Sequence, residues 1–188
     1  MRIKFYYKGV YKMKKYSSFN FLSKEVNFDE IDSPIGILTI ITSLRGLHAL
    51  LWDNPLINIQ DELITRNITR AGSTEMSLKV QKQLNEYFIG ERQTFDLPLV
   101  MHGTDFQIKA WNELTKIPYA TTVSYKEQAQ KIGDINKARA VGMANGRNHI
   151  GIIIPCHRVI GSNGKLVGFA GGVERKEWLL HHEKTNMK

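Results

Sequence analysis

The residue best suited to covalent chemistry is Cys156, the only cysteine of the 188-residue chain. It lies in the segment Pro155-Cys156-His157-Arg158-Val159. A free thiol titrates at ~8.5, so a cysteine nucleophile at neutral pH needs a base or a nearby positive charge. His157 is adjacent, but consecutive side chains on an extended strand point apart, so their interaction requires a tight turn or a bridging water. The alternative is an inert cysteine buried in the core.

A histidine base also needs an acceptor that fixes its tautomer and stabilises its charged form. Glu183 is the candidate, because it ends the segment from Val173 to Glu183, whose apolar residues predict a helix packed on the core. The glycine-rich stretch before it, residues 168–172, could approach a bound planar group closely. An ordinary glycine connector is the alternative.

Capping patterns predict the helices that position these groups. Thr104 to Gln107 and Ser124 to Glu127 each match a capping box, in which a hydroxyl and a carboxamide or carboxylate satisfy backbone donors. The first helix is predicted to end at Ile117-Pro118-Tyr119 and the second at Gly133. The run from Ile150 to Ile154 predicts a buried strand leading to Cys156.

A third helix is predicted from Lys137 to about Ala144, capped by Asn136 and ended by the left-handed signal Asn145-Gly146. With its predecessor it forms a helix-turn-helix candidate, although such pairs also occur as plain packing units. Every second residue from Ala138 to Ala144 is small, whereas Arg139 carries a long, charged side chain that would project from the helix. The helix could therefore approach a DNA groove or, alternatively, a neighbouring helix.

The first half predicts a small sheet with a helix. Residues 32–43 and 46–52 indicate a β-hairpin, and Thr74 caps a helix that stops at Gly90. Residues 93–103 are the predicted link. The fold class is thus α/β (α+β): a basic extension at 1–24, a small α+β domain with an antiparallel hairpin sheet at 25–100, and a mainly helical domain with a helix-turn-helix at 101–188.

Charge divides along the same limits. Residues 1–24 hold seven Lys or Arg and no acids, residues 25–100 six basic and eleven acidic, and residues 101–188 thirteen basic and seven acidic. A basic second half indicates a polyanionic partner, DNA or RNA, unless the asymmetry is only a solvated surface. No apolar run reaches membrane-spanning length, no zinc-ligand spacing occurs and no secretory signal is present, so we expect a cytoplasmic, metal-free protein.

Five ordered segments carry a specific resemblance: FQIKAWNEL, IPYATTVSY, ARAVGMANGRN, IIIPCHRVIGSNGKLVGFAGG and KEWLLHHE. Together they are similar to the O6-alkylguanine-DNA alkyltransferases over about residues 32–183. The resemblance implies DNA repair by irreversible, single-turnover transfer of an alkyl group, such as methyl, from guanine O6 to the cysteine, with O4-alkylthymine as a further candidate substrate. It implies no cofactor, double-stranded DNA containing alkylated guanine as partner, and a monomer.

The resemblance also implies roles for individual residues. Cys156 is the alkyl acceptor, His157 acts through a water, Glu183 completes the relay, Asn148 is the hinge asparagine, and Tyr125 supports base rotation and donates a proton. Arg139 is the finger that replaces the nucleotide flipped through the minor groove. For the flipped guanine, the expected contacts are backbone groups at Cys156, Val159 and Ala170 and an apolar wall formed by Phe169. For the DNA duplex, the further expected contacts are Lys137, Ala138, Gly142 and Tyr125.

Three positions depart from the family pattern. Ala120 stands where a glycine is usual, His149 where a proline is common, and Phe169 where a tyrosine is frequent. Two other functions remain as alternatives: a binding protein that senses alkylated guanine without reacting, whose known members lack the cysteine, and a Cys-His-Glu hydrolase, which would turn over repeatedly.

Overall fold

The computed structural model describes Leu22 and residues 25–52, 59–70 and 74–187. Apart from Leu22, the predicted extension at 1–24 lies outside the described residues. The chain divides into two compact units, one of Met1–Asn85 with Asp96–Val100 and a second of Glu86–Phe95 with Met101–Lys188. The domain limits after residues 24 and 100 stay predictions.

The first unit is built on a four-stranded mixed sheet in the order β3-β2-β1-β4. The predicted hairpin is confirmed, because β2 and β3 pair antiparallel across the Leu44-Arg45 turn. The sequence did not predict the antiparallel neighbour β1, the short parallel strand β4 or the helix α1. The elements are β1 Asn27–Ile31, β2 Leu38–Ser43, β3 Gly46–Trp52, α1 Ile59–Thr65, β4 Thr69–Arg70 and α2 Glu75–Phe88, of which the residues from Glu86 onward belong to the second unit.

Burial explains the composition of the hairpin. Every residue of β3 and all but the last of β2 are buried, which fits their nearly continuous apolar sequence. As predicted, the hydroxyl of Thr74 accepts the backbone N–H of Ser77 at 3.1 Å, and Gly90 follows the helix with a φ of 78°. One core cluster of this unit consists of Val26, Phe28, Ile41, Ala49, Leu51, Ile59, Leu63 and Ile68.

The second unit is mainly helical and contains one two-stranded parallel ladder, β5 with β6. The predicted class, a small α+β part followed by a mainly helical part with a helix-turn-helix, is confirmed. The elements are α3 Asp105–Leu114, β5 Val123–Ser124, α4 Tyr125–Lys131, α5 Ala138–Asn145, β6 Val159–Ile160 and α6 Val173–Thr185, with 3-10 turns at Ile135–Lys137 and Cys156–Arg158. Among the described residues, no helix is both long and apolar enough to cross a membrane.

Both predicted capping boxes are present. The Thr104 hydroxyl accepts the Gln107 N–H while the Gln107 side chain accepts the Thr104 N–H, and Ser124 and Glu127 exchange the same two bonds. These reciprocal bonds satisfy backbone donors that would otherwise lack partners at the helix starts.

A buried polar network holds α3, α4 and α5 together. Gln128 of α4 and Asn145 of α5 exchange two amide hydrogen bonds, at 2.8 and 3.3 Å. The Gln128 amide also donates to the Ala110 carbonyl, and the Trp111 indole N–H donates to the Ala144 carbonyl at 2.9 Å. These bonds join α4 to α5, α4 to α3 and α3 to α5. Every pair of the three helices is therefore connected, and their relative placement is fixed.

Three details of the predicted third helix are wrong: its cap, its first residue and its end. Asp134, rather than Asn136, provides the cap, because its carboxylate accepts the Asn136 N–H at 2.9 Å and starts a 3-10 turn that includes Lys137. The helix itself begins at Ala138. Gly146 has a φ of −67°, so the predicted left-handed end does not form.

The predicted strand at 150–154 is also wrong, although its residues are buried. Local bonds replace a sheet ladder: the Ile154 N–H donates to the Ile150 carbonyl at 3.0 Å, and Ile153 donates to Gly151 at 2.8 Å. Ile152 consequently has a φ of 67°, which is rare for a β-branched residue. A short buried apolar run does not reveal whether it is extended or turned.

Ala120 has a φ of 56°, in the left-handed region that glycine adopts without a Cβ penalty. We expect Ala120→Gly to raise the free energy of unfolding by about 0.5–1 kcal/mol, measured by urea denaturation. Ala140→Gly, inside α5, is the matched control and should lower it by about the same amount. A loss of stability in Ala120→Gly would show that the turn is not strained.

Candidate active site

Cys156 begins the 3-10 turn after Pro155 and is 8% exposed. Asn148 holds this turn from the preceding loop. Its side-chain amide donates to the Ile154 carbonyl at 2.8 Å and to the Cys156 Sγ at 3.4 Å, while its oxygen accepts the Ile150 N–H at 3.0 Å. The asparagine therefore fixes both the backbone of the turn and the sulfur.

The protonation of the thiol is set by opposing effects. Burial raises the pKa of Cys156, while the Asn148 hydrogen bond and the positive charge of Lys176 lower it, and burial prevails. The resting sulfur is thus a thiol, and a proton acceptor is needed to make it a nucleophile.

Glu183 is the fully buried centre of the site. Its Oε1 lies 2.7 Å from Nε2 of His157, as the sequence predicted, and it accepts the Tyr87 hydroxyl at 3.0 Å. The Arg158 guanidinium binds both carboxylate oxygens, through Nε at 2.9 Å and Nη2 at 2.9 Å. The backbone N–H of Ala120 also donates to Oε2 of Glu183, at 3.0 Å.

This cluster defines the histidine tautomer. Burial alone would raise the pKa of Glu183, but the hydrogen bonds and charges of His157 and Arg158 outweigh it and keep that pKa well below its usual range. Burial lowers the pKa of His157 despite the opposing effect of Glu183. A neutral imidazole facing a carboxylate must donate through Nε2, so Nδ1 carries the lone pair.

Nδ1 of His157 is buried and has no hydrogen-bond partner among the described residues. Within the same part of the chain, the thiol of Cys156 and the imidazole make no direct hydrogen bond. Of the two requirements left open by the sequence, a tight turn or a bridging water, the turn is present, yet it does not bring the two side chains into bonding contact.

Tyr125, the first residue of α4, contacts the glycine-rich loop. Its hydroxyl donates to the carbonyls of Val167 and Gly168 at 3.2 and 3.4 Å. Burial first, and then the negative charge of Cys156, raise the pKa of Tyr125 to about 12. At neutral pH the phenol keeps its proton and can serve as a donor.

The predicted base contacts lie along β6 and the same loop. Val159 is buried, and its carbonyl accepts the Lys176 ammonium at 2.6 Å. Phe169 and Ala170 are half-buried, and the Phe169 carbonyl accepts the Gly172 N–H at 3.1 Å. Their contacts with a base stay predictions.

Four of the five predicted DNA-binding residues lie on α5 and the 3-10 turn before it, and the fifth, Tyr125, begins α4. Arg139 and Lys137 are exposed, and Nζ of Lys137 lies 3.8 Å from Oδ2 of Asp134. Ala138 packs on the cluster formed by α4 and α5. A Cβ added to Gly142 would lie 3.5 Å from Cε1 of Tyr125, which is an ordinary van der Waals contact, so the space beside the tyrosine ring would also admit an alanine.

His149, the departure beside the hinge asparagine, packs its ring edgewise on Trp111 with the centroids 6.4 Å apart. Burial and the neighbouring His102 lower the pKa of His149 to about 4. The residue is therefore neutral at physiological pH and serves as an aromatic neighbour of the loop.

Sequence reasoning missed three members of the site: Arg158, Lys176 and Tyr87. Lys176 precedes Leu179 by three residues and Glu183 by seven, which places all three on one helix face. That spacing was the available signal, because a lysine on a buried apolar face requires a partner. Tyr87 offered no signal, since its place on the apolar stripe of α2 predicts only burial.

Comparison with known proteins shows the family to which the chain is similar. Residues 105–185 match the family described as 6-O-methylguanine DNA methyltransferase, DNA binding domain, and residues 26–101 match its ribonuclease-like domain. A methylated-DNA–protein-cysteine methyltransferase of Methanosarcina barkeri is 44% identical over 163 residues, covering 86% of this chain and 99% of the relative. One from Methanosarcina mazei is 50% identical over 160 residues, covering 84% and 97%.

A solved structure supports the same assignment. The OGT of Mycobacterium tuberculosis in complex with DNA superposes with a TM-score of 0.76 at 43% identity, covering 85% of this chain and 94% of that one. Both family descriptions, the relatives over nearly their full length and the fold agree. The chain belongs to the 6-O-methylguanine DNA methyltransferase family.

Proposed function

We propose that this protein repairs DNA by moving a methyl group from O6 of guanine onto Cys156, once per molecule. The observation that carries the proposal is the arrangement around the sulfur. A buried thiol is held by Asn148 next to a histidine whose Nδ1 lone pair is free to accept a proton, and whose other nitrogen is bound by the Glu183 carboxylate. Family membership supports the same chemistry.

The proposed step balances without an oxidant or reductant. His157 accepts the thiol proton through a bridging water, and the imidazolium is stabilised by Glu183. The thiolate attacks the methyl carbon, a carbon–sulfur bond forms, and the bond from that carbon to O6 breaks. The electron pair goes to guanine, which takes a proton from Tyr125. The thioether is not cleaved by a neighbouring base, so the protein is consumed.

The DNA side of the proposal rests on α5. A stacked base hides O6 from a buried sulfur, so the nucleotide must be rotated out at a cost of ~a few kcal/mol. The exposed Arg139 on the first turn of α5 is suited to fill the gap that remains, entering from the minor groove. The relative from Mycobacterium tuberculosis was crystallised with DNA, which supports double-stranded DNA as the partner.

The oligomeric state and the cellular location of the reaction can be inferred from the same residues. All groups used in the step come from one chain, so we infer that a monomer is competent. We place the reaction in the cytoplasm, where a lone cysteine stays reduced.

Incubation with a duplex carrying O6-methylguanine should add one methyl to each protein molecule. Intact-mass measurement and peptide mapping should place it on Cys156, and Cys156→Ala should acquire none. A duplex with unmodified guanine is the substrate control. Protein that binds the lesion but stays unmodified would favour a sensor, and repeated cleavage of an amide substrate would favour a hydrolase.

Glu183→Gln should slow methyl transfer about tenfold or more and lower the free energy of unfolding by about 3 kcal/mol. The amide keeps an acceptor oxygen but cannot stabilise the imidazolium or compensate the buried Arg158. Glu177→Gln, an exposed position on the same helix, should change neither quantity. Single-turnover kinetics and urea denaturation measure the two effects.

The same variant should alter acid sensitivity. Because the pKa of Glu183 lies below its ordinary value of 4.5 in the folded protein, its contribution to stability is full above that pH and declines as the pH falls further. Glu183→Gln should therefore lose less stability than the wild type between pH ~4.5 and ~2. If the free energies of unfolding of the wild type and the variant fell equally over that pH range, Glu183 would not stabilise the protein through its negative charge.

Arg139→Ala should slow repair of duplex DNA at least about tenfold, because base extrusion loses its filling side chain. Its reaction with the free base O6-methylguanine should be unchanged. Lys137→Ala, exposed on the same segment, should weaken DNA affinity in a salt-dependent way without slowing transfer at saturating DNA. An equal fall with the free base would assign Arg139 to the pocket instead.

A further inference from the structure

Lys176 is a buried cation beside the nucleophile, and none of the proposed steps uses it. Its side chain is fully buried on α6. The ammonium donates to the Val159 carbonyl at 2.6 Å and to the Val167 carbonyl at 3.1 Å. Among its contacts within the described residues there is no carboxylate. A buried ammonium bound only by neutral groups is costly, which points to another negative charge nearby.

The Cys156 thiolate supplies that charge once the thiol loses its proton. Lys176 binds the carbonyl of Val159, whose own N–H donates to the Cys156 carbonyl at the end of the 3-10 turn that Cys156 begins. Burial raises the pKa of Cys156 and lowers the pKa of Lys176, and each charge opposes the shift of the other group: the ammonium lowers the pKa of the thiol, and the thiolate raises the pKa of Lys176. The other groups that face the sulfur do not compensate its charge: Asn148 is neutral and Tyr125 keeps its proton. His157 is neutral at rest, and Arg158 is bound to Glu183.

The two carbonyls bound by Lys176 belong to different walls of the site. Val159 lies on β6, and Val167 lies on the glycine-rich loop. The hydroxyl of Tyr125 shares the Val167 carbonyl at 3.2 Å, and the ammonium lies 5.8 Å from the centroid of the Tyr125 ring. Lys176 therefore connects β6, the loop and α4. If Tyr125 turned its hydroxyl to a base, the Val167 carbonyl would still have a donor.

We propose that Lys176 is a positioning residue for methyl transfer: its ammonium is the counter-charge of the Cys156 thiolate and fixes the Val159 and Val167 carbonyls around the flipped base. The proposal rests on the proposed function for the base and is independent of it for the sulfur.

Cys156 reactivity is measured with iodoacetamide across a range of pH, and methyl transfer is measured with the O6-methylguanine duplex. In Lys176→Met the inflection of the iodoacetamide profile should move up by about one pH unit, so that the rate at neutral pH falls about tenfold. Transfer from DNA should fall further, because the carbonyls also lose their donor. Lys176→Arg should restore the iodoacetamide profile but only part of the transfer rate.

Lys184→Met, an exposed position on the same helix, is the matched control and should behave as the wild type. An unshifted iodoacetamide profile in Lys176→Met would overturn the proposal. A shifted profile combined with a wild type that takes no methyl from DNA would overturn the proposed function while leaving the counter-charge in place.

A measurement without a change at Lys176 covers the case in which Lys176→Met does not fold. With ¹³C-labelled lysine, the Lys176 signal, assigned by its absence from Lys176→Arg, is titrated in the wild type and in Cys156→Ala. Loss of the thiolate should make Lys176 titrate at lower pH. Identical titrations would show that the two groups do not interact and would refute the counter-charge.

Discussion

A single buried carboxylate organises the reactive half of this protein. Glu183 accepts hydrogen bonds from a tyrosine, a backbone amide, a histidine and an arginine, which come from three segments of the chain because the histidine and the arginine are adjacent. An ionised carboxylate without such partners would not stay charged in the interior. The negative charge in turn decides which histidine nitrogen carries the proton. Packing, tautomer and reactivity thus have a common origin.

Local signals in the sequence were sufficient for most of the scaffold. The two capping boxes, the hairpin turn and the glycine after α2 depend only on neighbouring residues, and each formed as predicted. Cys156, His157 and Glu183 were predicted as nucleophile, base and acceptor because their chemical types suit these roles. The residues alone left an inert buried cysteine as an alternative, and family resemblance favoured the reactive one. The His157–Glu183 contact was the part of the site that the structure could verify directly.

The remaining features depend on contacts between distant residues. The run 150–154 is apolar enough for a strand, but the asparagine at 148 and the local turn bonds satisfy its backbone without a sheet. Asp134 and Asn136 are both good capping residues, and the geometry of the preceding turn selects between them. Arg158 and Lys176 gain their importance from partners far away along the chain, which no short window of sequence reveals.

The reciprocal amide pair of Gln128 and Asn145 has a mechanical consequence. It lies in the interior and locks α5 to α4 through directional bonds, with the Trp111 indole adding a third restraint from α3. Such a support resists shear, because sliding either helix would leave two amides without partners. When the protein binds DNA, the deformation must then occur in the DNA and not in the helices. A weakened base pair deforms most easily, so it would open before its neighbours.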